Sequence, residues 1–330
     1  MNNPISPRLF YVPTVTTPGT LENTGTQSQT QNSSPAQLVD ALHSAFGAHK
    51  ARAVHAKGVI TEGEFTPAPG AAVLTRAVHL QDTASKIIVR LSDFTGIPDI
   101  ADNNGAANPR GFAIKFILPD GQSTDIVCHS FNGFPVENGD QFRELLLAIG
   151  ASGPDAPTPN ALDKFLATHP VAKTFLTTQK LPASYATISY FGVNSFKFTN
   201  KAGESHFIRY QFIPEEGEKV LTPDQFSQAG PQYLQTEIRE RIASKSIRFK
   251  FYAEIAQDGD DIGNPSVAYP PGREKVLLGN IEIKKLADNS PDGDKALTFN
   301  PLNIPDGIET ADPMLNLRGA AYPISVKERQ

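Results

Sequence analysis

Cysteine is almost missing from this chain. Cys128 is the single one in 330 residues, which excludes an intramolecular disulfide framework and any thiolate cluster for zinc or iron–sulfur. A lone buried cysteine is ordinarily an inert small hydrophobe, and Cys128 is read that way. Histidine is scarce and scattered, seven in all, with no spacing suited to a polyhistidine metal site. No stretch approaches the roughly 20 apolar residues of a membrane span. A net charge of -5 over the whole length provides no broad basic field for nucleic acid. The opening MNNPISPRLFYVPTVTTPGT has neither a basic n-region nor a continuous apolar run. No secretory signal is therefore evident, and a cytoplasmic location is expected. The familiar phosphate and hydrolase motifs are absent as well: no GxGxxG after a strand, P-loop, HExxH, GxSxG or CxxC. GDDIGNP and NSPDGDKAL hold acidic clusters without calcium-loop spacing, and read as solvated turns.

What is present is an ordinary globular body, 39% hydrophobic and 20% charged. Residues 1–35 stand apart. They carry only Arg8 and Glu22 as charges and are rich in Thr, Asn, Gln, Ser and Pro, so they read as a flexible arm. Such an arm is either a disordered tail or a strap across a neighbouring subunit. Residues 36–330 read as one domain. Ser34-Pro35 offers an N-cap and a proline at the first helical position, and the helix it opens is expected to stop at Gly47. Strand-like segments follow, then a helical zone from DQFRELLLAI to VAKTFLTTQ. Further strands include SIRFKFYAEIA, with Ile247, Phe249 and Phe251 on one face. Long strands without βαβ alternation predict an α+β fold built on an antiparallel β-barrel.

Two stretches bear chemistry. In KARAVHAKGVI, His55 sits among small and apolar residues just before a strand. It is either a structural imidazole or a general acid/base on a pocket wall. In MLNLRGAAYP, Arg318 and Tyr322 are four apart on an expected helix and share a face. They are either a surface pair or a guanidinium that favours phenolate, a ligand suited to ferric iron.

With both stretches in view, the chain resembles the haem catalase family, in particular its short catalase-related peroxidase branch. RAVHAKG resembles the distal-histidine motif, and IIVRLSDF the strand with a haem-facing arginine and serine. NPRGFAIKF resembles the Asp-Pro-Arg-Gly-Phe-Ala strand. STDIVCHS stands where the family has Trp-Asp-Leu-Val-Gly-Asn, and FNPLNIPDGIE followed by LRGAAYP resembles the approach to the proximal tyrosine. The resemblance implies an eight-stranded antiparallel barrel with helical insertions and a bound haem b. It implies Tyr322 as the iron ligand, Arg318 as the group that keeps it a phenolate, and His55 as distal acid/base, oriented by Ser92. Arg52, Arg90 and Arg329 match propionate arginines, Val54 a distal-pocket valine, and Phe142 a phenylalanine near the haem.

The sequence departs from the family at His129, which takes the place of the distal asparagine. It also ends one residue after Arg329, before the carboxy-terminal helical segment of ordinary catalases. Both departures imply a peroxidase that uses hydrogen peroxide or organic hydroperoxides and a small organic electron donor, with weak or absent catalase activity. The same resemblance implies a homo-oligomer. Two alternatives share the fold: a fatty-acid hydroperoxide isomerase of the allene oxide synthase type, and a non-catalytic haem-binding barrel. Val54, where the isomerases carry threonine, leans against the first. The His55–Ser92 pair leans against the second.

Overall fold

A computed structural model describes residues 32–330, which belong to one compact unit. The arm expected over residues 1–35 falls almost entirely outside the described residues. The first helix, α1 (Pro35–Phe46), starts as its sequence dictates. Ser34 accepts from the Gln37 backbone, Gln37 answers the Ser34 N–H, and Gly47 closes the helix at φ 86°. Four strands follow: β1 (Gly58–Pro67), then β2 (Ser85–Ser92) after the short α2 (Ala71–Leu74), and β3 (Gly111–Ile117) and β4 (Ser123–His129). The helical zone is α3 (Gly139–Gly150), α4 (Ala161–Thr168) and α5 (Pro170–Thr177). Next come β5 (Tyr190–Thr199), β6 (Ser205–Pro214), α6 (Pro223–Gln228), α7 (Tyr233–Ser244), β7 (Ile247–Ile255) and β8 (Lys275–Leu286). The chain finishes with α8 (Pro291–Ala296), β9 (Ile308–Thr310) and α9 (Pro313–Arg329).

The strands pair antiparallel in the order β4-β3-β2-β1-β8-β7-β6-β5, and a β4–β5 contact closes them into an eight-stranded barrel. Closure rests on one pair, His129 with Phe191. Beyond an irregularity at Gly192–Phe196, β5 takes β9 as its partner instead.

The interior is packed with rings. Phe212 and Phe251 stack at 4.4 Å, Phe112 lies 4.7 Å from Phe212, and Phe65 lies 5.1 Å from Phe116. All five are 0–1% exposed. The alternation in β7 puts Ile247, Phe249 and Phe251 inside, as its pattern predicts. A filled barrel leaves no lumen for a ligand, so a binding site must lie against its outer wall. There α1, α3 and α9 gather over Val39, Leu42, Ala53 and Leu146, with Val54, Phe142, Ala321 and Ile324 packed around them. Among the described residues no helix is long and apolar enough to cross a membrane.

Phe251 touches four other rings. Phe251→Ala should therefore cost about 3–5 kcal/mol, read as a fall in the urea midpoint; a loss below about 1 kcal/mol would show that the barrel does not depend on this cluster.

Candidate active site

Between the barrel wall and those helices lies a cavity with about 1240 Å³ of space free of protein atoms, part of it open to solvent. Its wall is built by the 52–55 loop, β2, β3, β4 and α9, with α1 and α3 adding apolar cover. All ten residues singled out from sequence line it: Arg52, Val54, His55, Arg90, Ser92, His129, Phe142, Arg318, Tyr322 and Arg329. The structure brings together positions up to 277 residues apart in sequence.

His55 is held under constraint. Its φ is 59°, the one left-handed backbone at a residue other than glycine among the described residues, which costs about 1 kcal/mol or more. Its N–H donates to the Phe94 carbonyl at 2.8 Å. Its Nδ1 lies 3.0 Å from the Asp93 carbonyl oxygen and 3.1 Å from Ser92 Oγ. A carbonyl only accepts, so the ring proton is on Nδ1 and Nε2 carries a free lone pair. Gly111 makes this possible: a Cβ there would stand 2.4 Å from Ser92 Oγ and 2.5 Å from His55 Nδ1. Phe94 meets the ring edge-on at 5.5 Å. Burial, then the nearby Arg90 charge, depress the imidazole to about 3, so it is neutral near pH 7.

His129, at the end of β4, is arranged the other way round. The Phe131 N–H donates to its Nδ1 at 3.3 Å, which puts the ring proton on Nε2. That Nε2–H is buried and has no partner in the protein. Burial, then Arg318 and His55, depress this imidazole to about 3 as well. Phe175 stands edge-on to the ring at 5.9 Å. The cavity thus presents one imidazole that accepts and one that donates, both uncharged.

The cationic end carries contacts that the sequence does not suggest. Arg90 was expected to serve a cofactor carboxylate, yet its donors are largely taken by the protein. Nη1 reaches the His55 carbonyl at 2.7 Å, Nη2 the Ala56 carbonyl at 2.9 Å, and Nε the Asp294 carboxylate at 2.7 Å. Asp294 lies in NSPDGDKAL, the stretch read as a solvated turn. That reading is corrected: α8 docks on the arginines. Arg52 Nη2 binds the Asp294 and Leu297 carbonyls at 2.7 and 2.8 Å, and Arg329 Nη2 binds the Leu297 carbonyl at 3.0 Å. Nothing local in that stretch signals partners more than 200 residues away. Three guanidiniums face one carboxylate here. Burial and then Arg90 lower Arg52 to about 9, and its Nε is buried without a partner.

On α9, Arg318 and Tyr322 do share the cavity face. The guanidinium–phenol contact expected between them is not made in this structure. Arg318 Nη1 instead donates to Asn194 Oδ1 at 2.6 Å and its guanidinium sits over the Phe134 ring at 5.4 Å. Asn194 is held in turn by Asp312, its Nδ2 donating to Oδ2 at 2.6 Å, and Asp312 caps α9 through the Met314 N–H. Burial pushes the Asp312 carboxyl up to about 6. Asn194 and Asp312 carry no motif that sequence reading detects, because their partner is a long-range side chain.

These features define a class: a closed, aromatic-filled antiparallel barrel with a helix-covered binding cavity outside its wall. The family is narrower. Residues 36–330 match the family model described as Catalase, and the chain belongs to the catalase family. It is 33% identical to a catalase-related peroxidase of Mycolicibacterium paratuberculosis, over 89% of this chain and 94% of that one. It is 30% identical to a catalase-related peroxidase of Synechococcus elongatus, over 89% of this chain and 88% of that one. The fold agrees with a fungal catalase crystal structure at TM-score 0.75 and 21% identity, covering 84% of this chain. The chain spans 59% of that larger protein.

Buried neutral imidazoles make stability depend on acid. Unfolded histidines take up protons near pH 6.5, whereas His55, His129 and the barrel-lining His79 resist to about 3. The unfolded state binds more protons in that window, so stability falls as pH drops through it. At pH 5 each imidazole should cost about 2 kcal/mol. His129→Gln should flatten the dependence of the urea midpoint on pH in this window; an unchanged slope would mean that His129 is not buried and neutral.

Proposed function

We propose that the protein is a haem-dependent peroxidase that reduces hydrogen peroxide or organic hydroperoxides with a small organic electron donor, and that its catalase activity is weak or absent. The observation that carries this reading is the pair of neutral imidazoles in opposite tautomers on one cavity. A hydroperoxide is a small neutral molecule with an O–H to donate and a second oxygen to accept. His55 Nε2 fits the first and His129 Nε2–H the second.

Haem b fits the residues present. Its two carboxylates answer the excess of three guanidiniums over one carboxylate, and the unpartnered Arg52 Nε is a donor in waiting. Arg52 and Arg329 retain free N–H groups for this, and the largely apolar wall suits a macrocycle. Tyr322 offers the phenol oxygen that would ligate iron. Haem, when bound, supplies the redox chemistry that splits the O–O bond. The chain's own groups move the proton. His55 Nε2 takes it from the hydroperoxide O–H and returns it to the departing oxygen, which leaves as water or alcohol. Ser92 acts through His55, holding its ring in the productive tautomer.

His129 supports the weak catalase activity. In the family the equivalent position is an asparagine, whose amide offers donors and an acceptor together. Here Nδ1 is already occupied by the Phe131 N–H, leaving a single donor for the cavity. One donor can seat an acceptor oxygen but offers no acceptor to orient the O–H of a second peroxide.

The test pairs oxygen release from hydrogen peroxide with oxidation of a chromogenic phenol on haem-loaded protein. Phenol oxidation should dominate, and His129→Asn should raise oxygen release relative to it. His55→Ala should slow the reaction with peroxide about 100- to 10,000-fold while haem still binds. Oxygen release at catalase-like rates, or a His55→Ala protein with undiminished turnover, would contradict the reading; conversion of a fatty-acid hydroperoxide to an epoxide without any donor would favour the isomerase.

A further inference from the structure

The left-handed backbone at His55 needs something to hold it, and the protein supplies a clamp that reaches it from two sides. From one side come backbone contacts: the His55 and Ala56 N–H groups donate to the Phe94 and Thr95 carbonyls at 2.8 and 2.9 Å. From the other comes the Arg90 guanidinium, with Nη1 on the His55 carbonyl and Nη2 on the Ala56 carbonyl. Room for that guanidinium is kept by Gly58, where a Cβ would stand 2.7 Å from the Arg90 Cζ. The arginine is 3% exposed, and a fork buried this deeply holds its orientation only if the third donor is also satisfied. Asp294 Oδ1 satisfies it at 2.7 Å from Nε. The same Oδ1 lies 3.4 Å from Arg52 Nη2, and the Asp294 carbonyl accepts from that nitrogen at 2.7 Å. Asp294 therefore pins both the start of the 52–56 loop and, through Arg90, its end.

We propose that Asp294 is a positioning residue for the distal imidazole, acting through Arg90, and that Arg90 is a clamp on the His55 loop before it is an anchor for a cofactor carboxylate. With Nη1 on His55, Nη2 on Ala56 and Nε on Asp294, Arg90 is held by the protein itself, while Arg52 Nε is buried without a partner. The acid in α8 sets the geometry of the base; it touches neither substrate nor iron. This deepens the peroxidase reading and rests on it only for the activity arm of the test.

The test compares wild type with Asp294→Ala, which removes the acceptor, and with Asp294→Asn, which keeps an oxygen of the same reach. The first readout is hydrogen–deuterium exchange of the peptide containing His55 and Ala56, with the β7 peptide 247–255 as reference. In Asp294→Ala the His55 and Ala56 amides should exchange about tenfold faster or more while β7 is unchanged. Asp294→Asn should restore most of the protection. The second readout is haemin titration beside the peroxide reaction rate per bound haem. Haemin affinity should stay within about threefold of wild type, whereas the rate should fall about tenfold in Asp294→Ala. Unchanged exchange at His55, faster exchange shared equally by β7, or a loss of haemin affinity with the rate per haem intact would overturn the proposal. Should the wild-type protein take up no haemin, the peroxidase reading fails, and the exchange arm still decides the role of Asp294.

Discussion

The hydrogen bond from His55 Nδ1 to the Asp93 carbonyl is the contact on which the site depends. It fixes the ring proton on Nδ1 and leaves Nε2 of this cavity-lining residue with a free lone pair. Much of the surrounding sequence can be understood as what this contact requires. The φ of 59° at His55 turns the ring back toward β2, Gly111 clears space beside Nδ1, and Ser92 shares the proton. Arg90 holds the same residue by its carbonyl. Backbone strain is tolerated here because several independent contacts specify one conformation.

Behind the carbonyl stands a buried ionic cluster that keeps Asp93 in place. Arg110 pairs with its carboxylate, and the Tyr185 hydroxyl donates to it at 2.7 Å. Burial pushes the Asp93 carboxyl up to about 6, against the pull of Arg110. Lys57, two residues after the histidine, reaches Asp102 at 2.5 Å and the Ile100 and Pro231 carbonyls at 2.7 and 2.9 Å. A buried cluster of this kind contributes little net stability against an apolar replacement, since desolvation offsets the attraction. What it contributes is a fixed geometry at the base of the loop that carries His55. The aromatic barrel core provides the stability that permits it.

The parts of this arrangement legible in sequence are those with local signals. Ser34, Pro35 and Gly47 announce both ends of α1 within 14 residues, and the alternation of Ile247, Phe249 and Phe251 announces an inward face. The ordered motifs around His55, Ser92, Arg318 and Tyr322 fall on residues that line one cavity, because each motif carries its own spacing. Partners did not follow. Arg90 spends its donors on backbone carbonyls, which any residue possesses, so no side-chain pattern marks them. Asp294 sits in a Pro-Asp-Gly-Asp stretch with the composition of a solvated loop, and its role arises from contacts 204 and 242 residues away. Arg318 pairs with Asn194 for a similar reason: Asn194 lies in the register irregularity of β5 between Gly192 and Phe196, and its partners are 124 and 118 residues away.

The central claim is that two buried imidazoles stand neutral and in opposite tautomers on one cavity. Nitrogen-15 NMR of histidine-labelled protein, with His55 and His129 assigned by single substitution, measures it directly. The account predicts the proton on Nδ1 of His55 and on Nε2 of His129, with neither ring titrating between about pH 5 and 8. Two rings in the same tautomer, or either one titrating near pH 6.5, would contradict it.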